Sequence, residues 1–415
     1  MRHLFRTSLA TAILMSFAPA AVYASADEVI LMDNIKVKGE LRPRYEMVDE
    51  DNTNSNANAL TNRLVIGVDA DLFGTKWLSG YAEMTDVHAA NNNYNSTNNG
   101  QTGYSVVADP SQTRITQSYL DFKLGKTIFR AGRQIVNLDN LRFIGSVNWR
   151  QMPQSLDAYA VVDNTIDKLD ILAAYVTQVN TVKADSSNSF QTSTVVLNAK
   201  YKASKAINVT GYGYLIGSLH DTYGLALTGK TGMSGTKLSY RVEYAMQTDA
   251  SMETASQGKP NADADYMNLK LDANMSGFLV GAQYEVLSGT DGTGSKTTFT
   301  TPLATLHAHN GWADNFLATP AEGLVDMNVT VGYKAKGFGV AKAIYHDYSS
   351  DAGSINYGTE LDLLYKNSVP GVKNLTGLVK AALYSGGDTV ASGNYTKQAT
   401  DKTVFWVMMD YKFGS

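Results

Sequence analysis

The chain has 415 residues, a formal net charge of −4, no cysteine and a mean hydropathy of −0.20. In an exported protein the lack of cysteine excludes disulfide staples and thiolate metal sites. The mild acidity excludes a broad basic face for nucleic acid.

The first elements in chain order are those of a secretory leader. Arg2 and Arg6 precede the short apolar stretch from Leu9 to Phe17, and Val22-Tyr23-Ala24 offers small residues at a cleavage position. The expected cut follows Ala24, with Ala26 as the alternative, so residues 1–24 are read as signal peptide and 25–415 as the mature domain. Beyond the leader no run reaches the ~18 apolar residues of a spanning helix. That profile fits either an exported soluble protein or a barrel whose strands alternate lipid-facing and water-facing residues.

Periodicity favours strands. From Ile35 onward, Val37, Gly39, Leu41, Pro43, Tyr45 and Met47 alternate with Lys36, Lys38, Glu40, Arg42, Arg44 and Glu46, a repeat of two rather than 3.6. Leu238, Tyr240, Val242, Tyr244 and Met246 oppose Lys237, Ser239, Arg241, Glu243 and Gln247 in the same way. Met267, Leu269 and Leu271 oppose Asn268, Lys270 and Asp272, and Met327, Val329 and Val331 oppose Asn328 and Thr330. Tyrosine, with 24 residues, suits strands and membrane interfaces, and proline is scarce at 8.

The connections alternate between tight turns, such as Gly125-Lys126 and Met275-Ser276-Gly277, and long polar stretches. The long ones cover Asp49 to Asn58, Ala89 to Gln112, Val136 to Ser155, Thr181 to Gln191, Thr248 to Ala262 and Gly289 to Gly323. Short turns at one end and long loops at the other predict an all-β, transmembrane antiparallel β-barrel with short periplasmic turns and long external loops. Eighteen strands are expected, starting near residues 35, 60, 77, 114, 127, 156, 168, 192, 206, 219, 236, 264, 278, 325, 338, 355, 374 and 402. Gly217-Ser218-Leu219 is short for an external loop, so sixteen remains the alternative count. Thr403, Phe405, Val407, Met409, Tyr411 and Phe413 give the final strand an aromatic-rich face of the kind read by barrel-insertion machinery, with Gly414-Ser415 as a small departure.

Nine arginines follow the leader, and eight lie between residues 42 and 150. They are Arg42, Arg44, Arg63, Arg114, Arg130, Arg133, Arg142 and Arg150, with Arg241 apart. A charge at the lipid midplane costs roughly 2–4 kcal/mol, so these side chains are expected to line the pore. Arginine keeps its charge and offers a planar fork to carboxylates, so such a wall would gather anions. The competing reading pairs them with Glu40, Glu46, Asp69, Asp71, Glu83 and Asp121 as cross-strand ion pairs. The segment from Gly132-Arg133-Gln134 through Trp149-Arg150-Gln151 to Asp157 reads as an inward-folded constriction loop rather than a solvated one.

These motifs make the chain resemble the alginate-export porins. The resemblance rests on Arg42-Pro43-Arg44-Tyr45-Glu46, Gly132-Arg133-Gln134, Trp149-Arg150-Gln151, the run Thr301 to His307 and Gly311-Trp312-Ala313-Asp314. It implies an eighteen-stranded monomeric barrel with an electropositive lumen, and Arg42, Arg44, Arg133 and Arg150 as pore residues. The thinning of basic residues after residue 150 departs from that pattern.

His307 and His309 supply two of the three protein ligands that catalytic zinc takes, and their alternating spacing in a polar loop, with Asp314 as the one nearby acid, makes a thin case for a metal site. His88, His220 and His346 are read as solvated lumenal or rim side chains, and no hydrolase, P-loop or dinucleotide fingerprint occurs. The expectation is therefore a non-enzymatic porin of a Gram-negative outer membrane, without cofactor, that passes small acidic or polar solutes and prefers anions. Its partners would be membrane lipid, those solutes and the insertion machinery. The alternatives are an exporter of an anionic polysaccharide such as alginate and a structural or adhesive surface barrel with a plugged lumen.

Overall fold

The computed structural model describes residues 31–52, 54–183, 189–252, 261–290, 296–388 and 399–414. The predicted leader lies outside them. β1 (Met32–Glu50), β2 (Ala57–Leu72), β3 (Leu78–Ala89), β4 (Gln112–Leu124), β5 (Thr127–Gln134) and β6 (Ser155–Asp163) open the chain. β7 (Leu169–Asn180), β8 (Phe190–Tyr201), β9 (Asn208–Ile216), β10 (His220–Met233), β11 (Thr236–Thr248) and β12 (Asp263–Met275) follow. β13 (Phe278–Leu287), β14 (Leu324–Ala335), β15 (Gly339–Ser349), β16 (Asn356–Ser368), β17 (Leu375–Gly386) and β18 (Lys402–Gly414) complete it. Every predicted start lies within three residues of the observed one, the widest gaps being at Met32 and Ala57.

Each strand pairs antiparallel with its neighbours in sequence, and β1 also pairs with β18, placing Glu46 opposite both Ala59 and Trp406. The eighteen-stranded sheet is therefore closed. Closure leaves no unpaired strand edge, a requirement for β-structure in lipid. The junction after β9 is a tight hairpin: Ser218 has φ +59 and the Leu219 N–H bonds the Ile216 carbonyl at 2.9 Å. That turn keeps β9 and β10 as separate strands and makes the count eighteen rather than sixteen.

Alternation sends the apolar set outward. Leu225, Leu271, Val329 and Val331 are each more than half exposed, while Arg42, Arg44, Glu243 and Glu285 on the opposite face are buried. A soluble protein would show the inverse. The buried apolar cluster lies inside the barrel, where Phe143 and Phe299 from two loops pack on Tyr212, Tyr214 and Tyr266 of the wall. Two long loops thus enter the lumen, residues 135–154 and 288–323, of which 291–295 are outside the described set, and loop 90–111 reaches it through Asp109, paired with Arg44. Residues 135–154 touch β1 and β2 at one end and β9, β12 and β13 at the other, half-way round the ring. Only a segment that crosses the lumen can do so.

Candidate functional site: a constriction between two cavities

The first wall of the site is built by arginines. Arg42 and Arg63 face each other across β1 and β2, with Glu40 at 3.7 and 3.4 Å from their respective Nε atoms. Arg42 donates to the carbonyls of Asn148 (3.0 Å) and Arg150 (2.8 Å) and to the Gln151 amide oxygen (3.1 Å). Arg44 donates to the Trp149 carbonyl at 2.6 Å and pairs with Asp109, and Arg63 bonds the Asn148 side chain at 2.6 Å. Arg42 and Arg44 therefore grip the backbone of residues 148–150, and Arg42 and Arg63 hold the side chains of Gln151 and Asn148. Carbonyls at a loop apex have no strand partner, and a planar five-donor group satisfies several at once.

Arg150 reaches from that loop to Glu46 (3.0 Å) and Asp314 (2.8 Å), joining wall and both loops. Burial would raise the Asp109 carboxyl, but Arg44, Arg150 and the Gln151 N–H outweigh it and hold the group below the ordinary carboxylate range. Arg142 pairs with Glu285 at 3.1 Å across the barrel, Arg241 with Glu243 at 2.8 Å, and Arg130 takes both oxygens of Asp121 at 2.7 Å. Arg114 donates to the Thr181 carbonyl at 2.6 Å. Arg133 differs in place: it shares the outward register of Phe129 and Ala131 and forms a two-bond pair with Asp157, itself in register with outward Tyr159. All nine arginines thus have polar partners within the protein.

At the centre, the two crossing loops are stitched together. The Gly145 N–H bonds the Leu303 carbonyl (2.9 Å), the Thr305 N–H bonds the Leu141 carbonyl (3.0 Å), and Trp149 stacks on His307 at 4.6 Å. His307 donates from Nδ1 to Asp314 (2.7 Å) and accepts at Nε2 from Lys380 of β17 (2.6 Å), since a lysine ammonium can only donate. Burial and the neighbouring Lys380 push the His307 imidazole down to about 3. His309 lies apart, bonded to the Asn140 carbonyl at 3.1 Å and pushed down to about 4 by burial and Arg142. The two histidines serve different contacts. His346 is buried beside Asp326 at 2.9 Å and His220 is buried beside Thr222, not solvated as the sequence suggested.

Two cavities meet this centre. One of about 520 Å³ opens toward the loop end and is lined by Glu46, Glu50, Asp314, Arg150 and Lys402. The other, of about 1140 Å³, runs toward the short-turn end and is lined by Lys205, Lys230, Lys237, Lys270 and Lys342, with Asp272 as its carboxylate. Trp312 borders both. Among the described residues none of these five lysines stands in an ion pair. Sequence reasoning passed over them. Arginine thins out after residue 150, but lysine takes its place, and the signal was present because Lys237 and Lys270 occupy the polar registers of β11 and β12.

This fold is shared with solved outer-membrane barrels. Acinetobacter baumannii OccAB2 superposes with a TM-score of 0.72 at 14% identity, covering 93% of this chain and 100% of that one. Pseudomonas aeruginosa OccK8 (OprE) gives 0.69 at 14% identity over 93% and 99%. P. aeruginosa OpdK, solved with vanillate, gives 0.70 at 12% over 93% and 100%. Residues 33–257, more than half the chain, match the family described as alginate export, and the chain belongs to that family. No curated protein matches it in sequence.

Proposed function

We propose that the chain is a passive diffusion channel for small organic anions, and that the lysine-lined cavity is its selectivity element. The observation that carries this reading is a lumenal cavity with five lysines against one carboxylate and, among the described residues, no ion pair for those lysines. Uncompensated charge of one sign in a low-dielectric cleft raises the local concentration of the opposite ion. The lumenal arginines, Arg42, Arg44, Arg63, Arg114, Arg130 and Arg241 on strands and Arg142 and Arg150 on a loop, add to the positive potential but act first as structural donors. Arg133 shapes the rim. The capture of vanillate by OpdK supports aromatic carboxylates as a solute class.

A cleaved leader over residues 1–24 and insertion through the terminal strand complete the proposal, and mass spectrometry of the mature N-terminus checks the first. Reversal potentials across a salt gradient test the selectivity. Anion preference is expected for the native channel, with the permeability ratio falling about tenfold in Lys270→Met, Lys342→Met, the lower end of the range for charge focusing. Cation preference in the native protein would overturn the reading.

The family description favours a second reading, export of an anionic polysaccharide. Two cavities parted at Trp312 suit short solutes better than a threaded polymer. Liposome swelling with uronic acid monomers and long oligomers separates the two. Absence of conductance would instead favour a structural or adhesive plugged barrel.

A further inference from the structure

Five of the short turns share one composition. Lys76 stands between Phe73 and Trp77, Lys126 follows Leu124, Lys168 follows Ile166, Lys336 precedes Phe338 and Lys373 follows Val372. All five lysines are exposed, and Asp167 is the one carboxylate within these turns. Among the described residues none of the five stands in an ion pair. Their apolar neighbours are exposed as well: Leu124 by 64%, Phe73 by 59%, Ile166 by 57% and Val372 by 45%. Closed turns hold such side chains out. The Thr75 N–H bonds the Leu72 carbonyl at 3.0 Å, and the Leu169 N–H bonds the Ile166 carbonyl at 3.2 Å. An apolar tip held in water is unfavourable, and a series of them round one rim marks contact with an apolar partner.

The turns continue the lipid-facing wall. The Trp77 ring lies 5.4 Å from outward Phe122, which lies 6.2 Å from Phe129. Further round the ring, Phe338 lies 5.6 Å from both Tyr333 and Tyr365. Aromatic belts of this kind sit at headgroup level, where an apolar body meets the acyl boundary. A lysine just beyond the belt reaches phosphate height, its stem lying along apolar surface while its ammonium stays hydrated. The loop end is built differently. There Lys296 is held by Asp263 and Asp265 at 2.8 and 2.9 Å, and Lys402 by Glu50 at 2.8 Å. Tyr223, outward near that end, donates to Asp221 at 3.2 Å.

We propose that the short-turn end of the barrel is a binding surface for anionic glycerophospholipids of the leaflet it faces. The five lysines take the phosphates, and their apolar neighbours enter the acyl boundary. A dissolved anion or a polar polymer would use the lysines and leave Leu124, Ile166 and Val372 in water, so the pairing selects a lipid. Attraction to an anionic leaflet is worth about fivefold in affinity for each lysine near the surface. Salt screens it, because the Debye length shrinks to ~3 Å at 1 M. None of the five lysines lines either cavity, so the inference does not depend on which solute crosses the pore.

The test offers the full-length protein equal amounts of phosphatidylglycerol and phosphatidylcholine in mixed detergent micelles and reads the retained lipid by native mass spectrometry. Phosphatidylglycerol is expected to be retained over phosphatidylcholine by about fivefold or more. Lys76→Gln, Lys126→Gln, Lys168→Gln, Lys336→Gln and Lys373→Gln together should abolish the preference, and arginine at the same five positions should keep it. Phe73→Ser with Ile166→Ser and Val372→Ser leaves the lysines in place and should lower retention of both lipids. Heat-modifiable migration on gels confirms that each variant forms the barrel. Equal retention of the two lipids by the native protein, or a preference unchanged in the glutamine variant, would overturn the proposal. Displacement of phosphatidylglycerol by glycerol 3-phosphate at the lipid's own concentration would also overturn it, making the surface one for dissolved phosphate. Co-sedimentation with peptidoglycan in place of a lipid preference would assign the lysines to the cell wall instead.

Discussion

The arginine wall of β1 and β2 and the lysine wall from the β8–β9 turn to β15 carry the same sign of charge and do different work. The arginines are closed in on partners. Arg42, Arg44 and Arg63 hold residues 148–151 against the barrel, and Arg150 ties that loop to Glu46 and Asp314. The lysines line open space. The difference follows from side-chain chemistry: a rigid fork satisfies several fixed acceptors, whereas a strongly hydrated point charge on a flexible stem keeps its shell in a wet cavity. Counting positive charge along the sequence therefore locates the scaffold of the constriction sooner than its conducting surface.

The most severe way to break this contrast is Arg44→Ala, which leaves Asp109 buried without its main partner. Removing one member of a buried pair costs about 3–5 kcal/mol. Loop 135–154 should detach while the strand ladder persists, so single-channel conductance should rise severalfold with unchanged heat-modifiable migration on gels. Unaltered conductance would mean that the arginines do not hold the constriction.

Acid should act on the same contacts. His307 faces Asp314, Lys380 and Arg150, and His309 faces Arg142, Glu285 and Lys270. Both imidazoles are neutral in the docked loops, at about 3 and about 4, against 6.5 when released. Between pH 6.5 and about 4 the released state therefore binds more protons. Docking weakens as pH falls through that window, by up to about 1.4 kcal/mol per pH unit for each histidine. Asp109 and Asp314, held below their ordinary range, lose their contribution only at lower pH. Open probability should rise on acidification below pH 6.5, and His307→Gln with His309→Gln should flatten the rise.

The mildest change sharpens the distinction from the outside. Arg133→Ala removes the outward, half-buried two-bond pair with Asp157, worth about 1 kcal/mol at the upper end for ion pairs near a surface. Thermal stability and reversal potential should both stay near native values. A loss of anion preference in this variant would show that the rim arginine steers solutes.

The sequence by itself determined the barrel. Lipid outside and water inside impose an alternation that neighbouring residues carry locally, so Val37 to Met47 or Tyr240 to Met246 reveal strand, face and span without reference to the rest of the chain. The placing of Arg42, Arg44 and Arg63 in the lumenal register was legible in the same way. Their partners were not. Arg44 meets the Trp149 carbonyl 105 residues away, and Lys380 meets His307 across 73. A loop that enters the lumen and one that stands in water can share one composition. Only closure of the ring brought β17, β18 and two loops to one point, and that decided which cations are satisfied and which face open space.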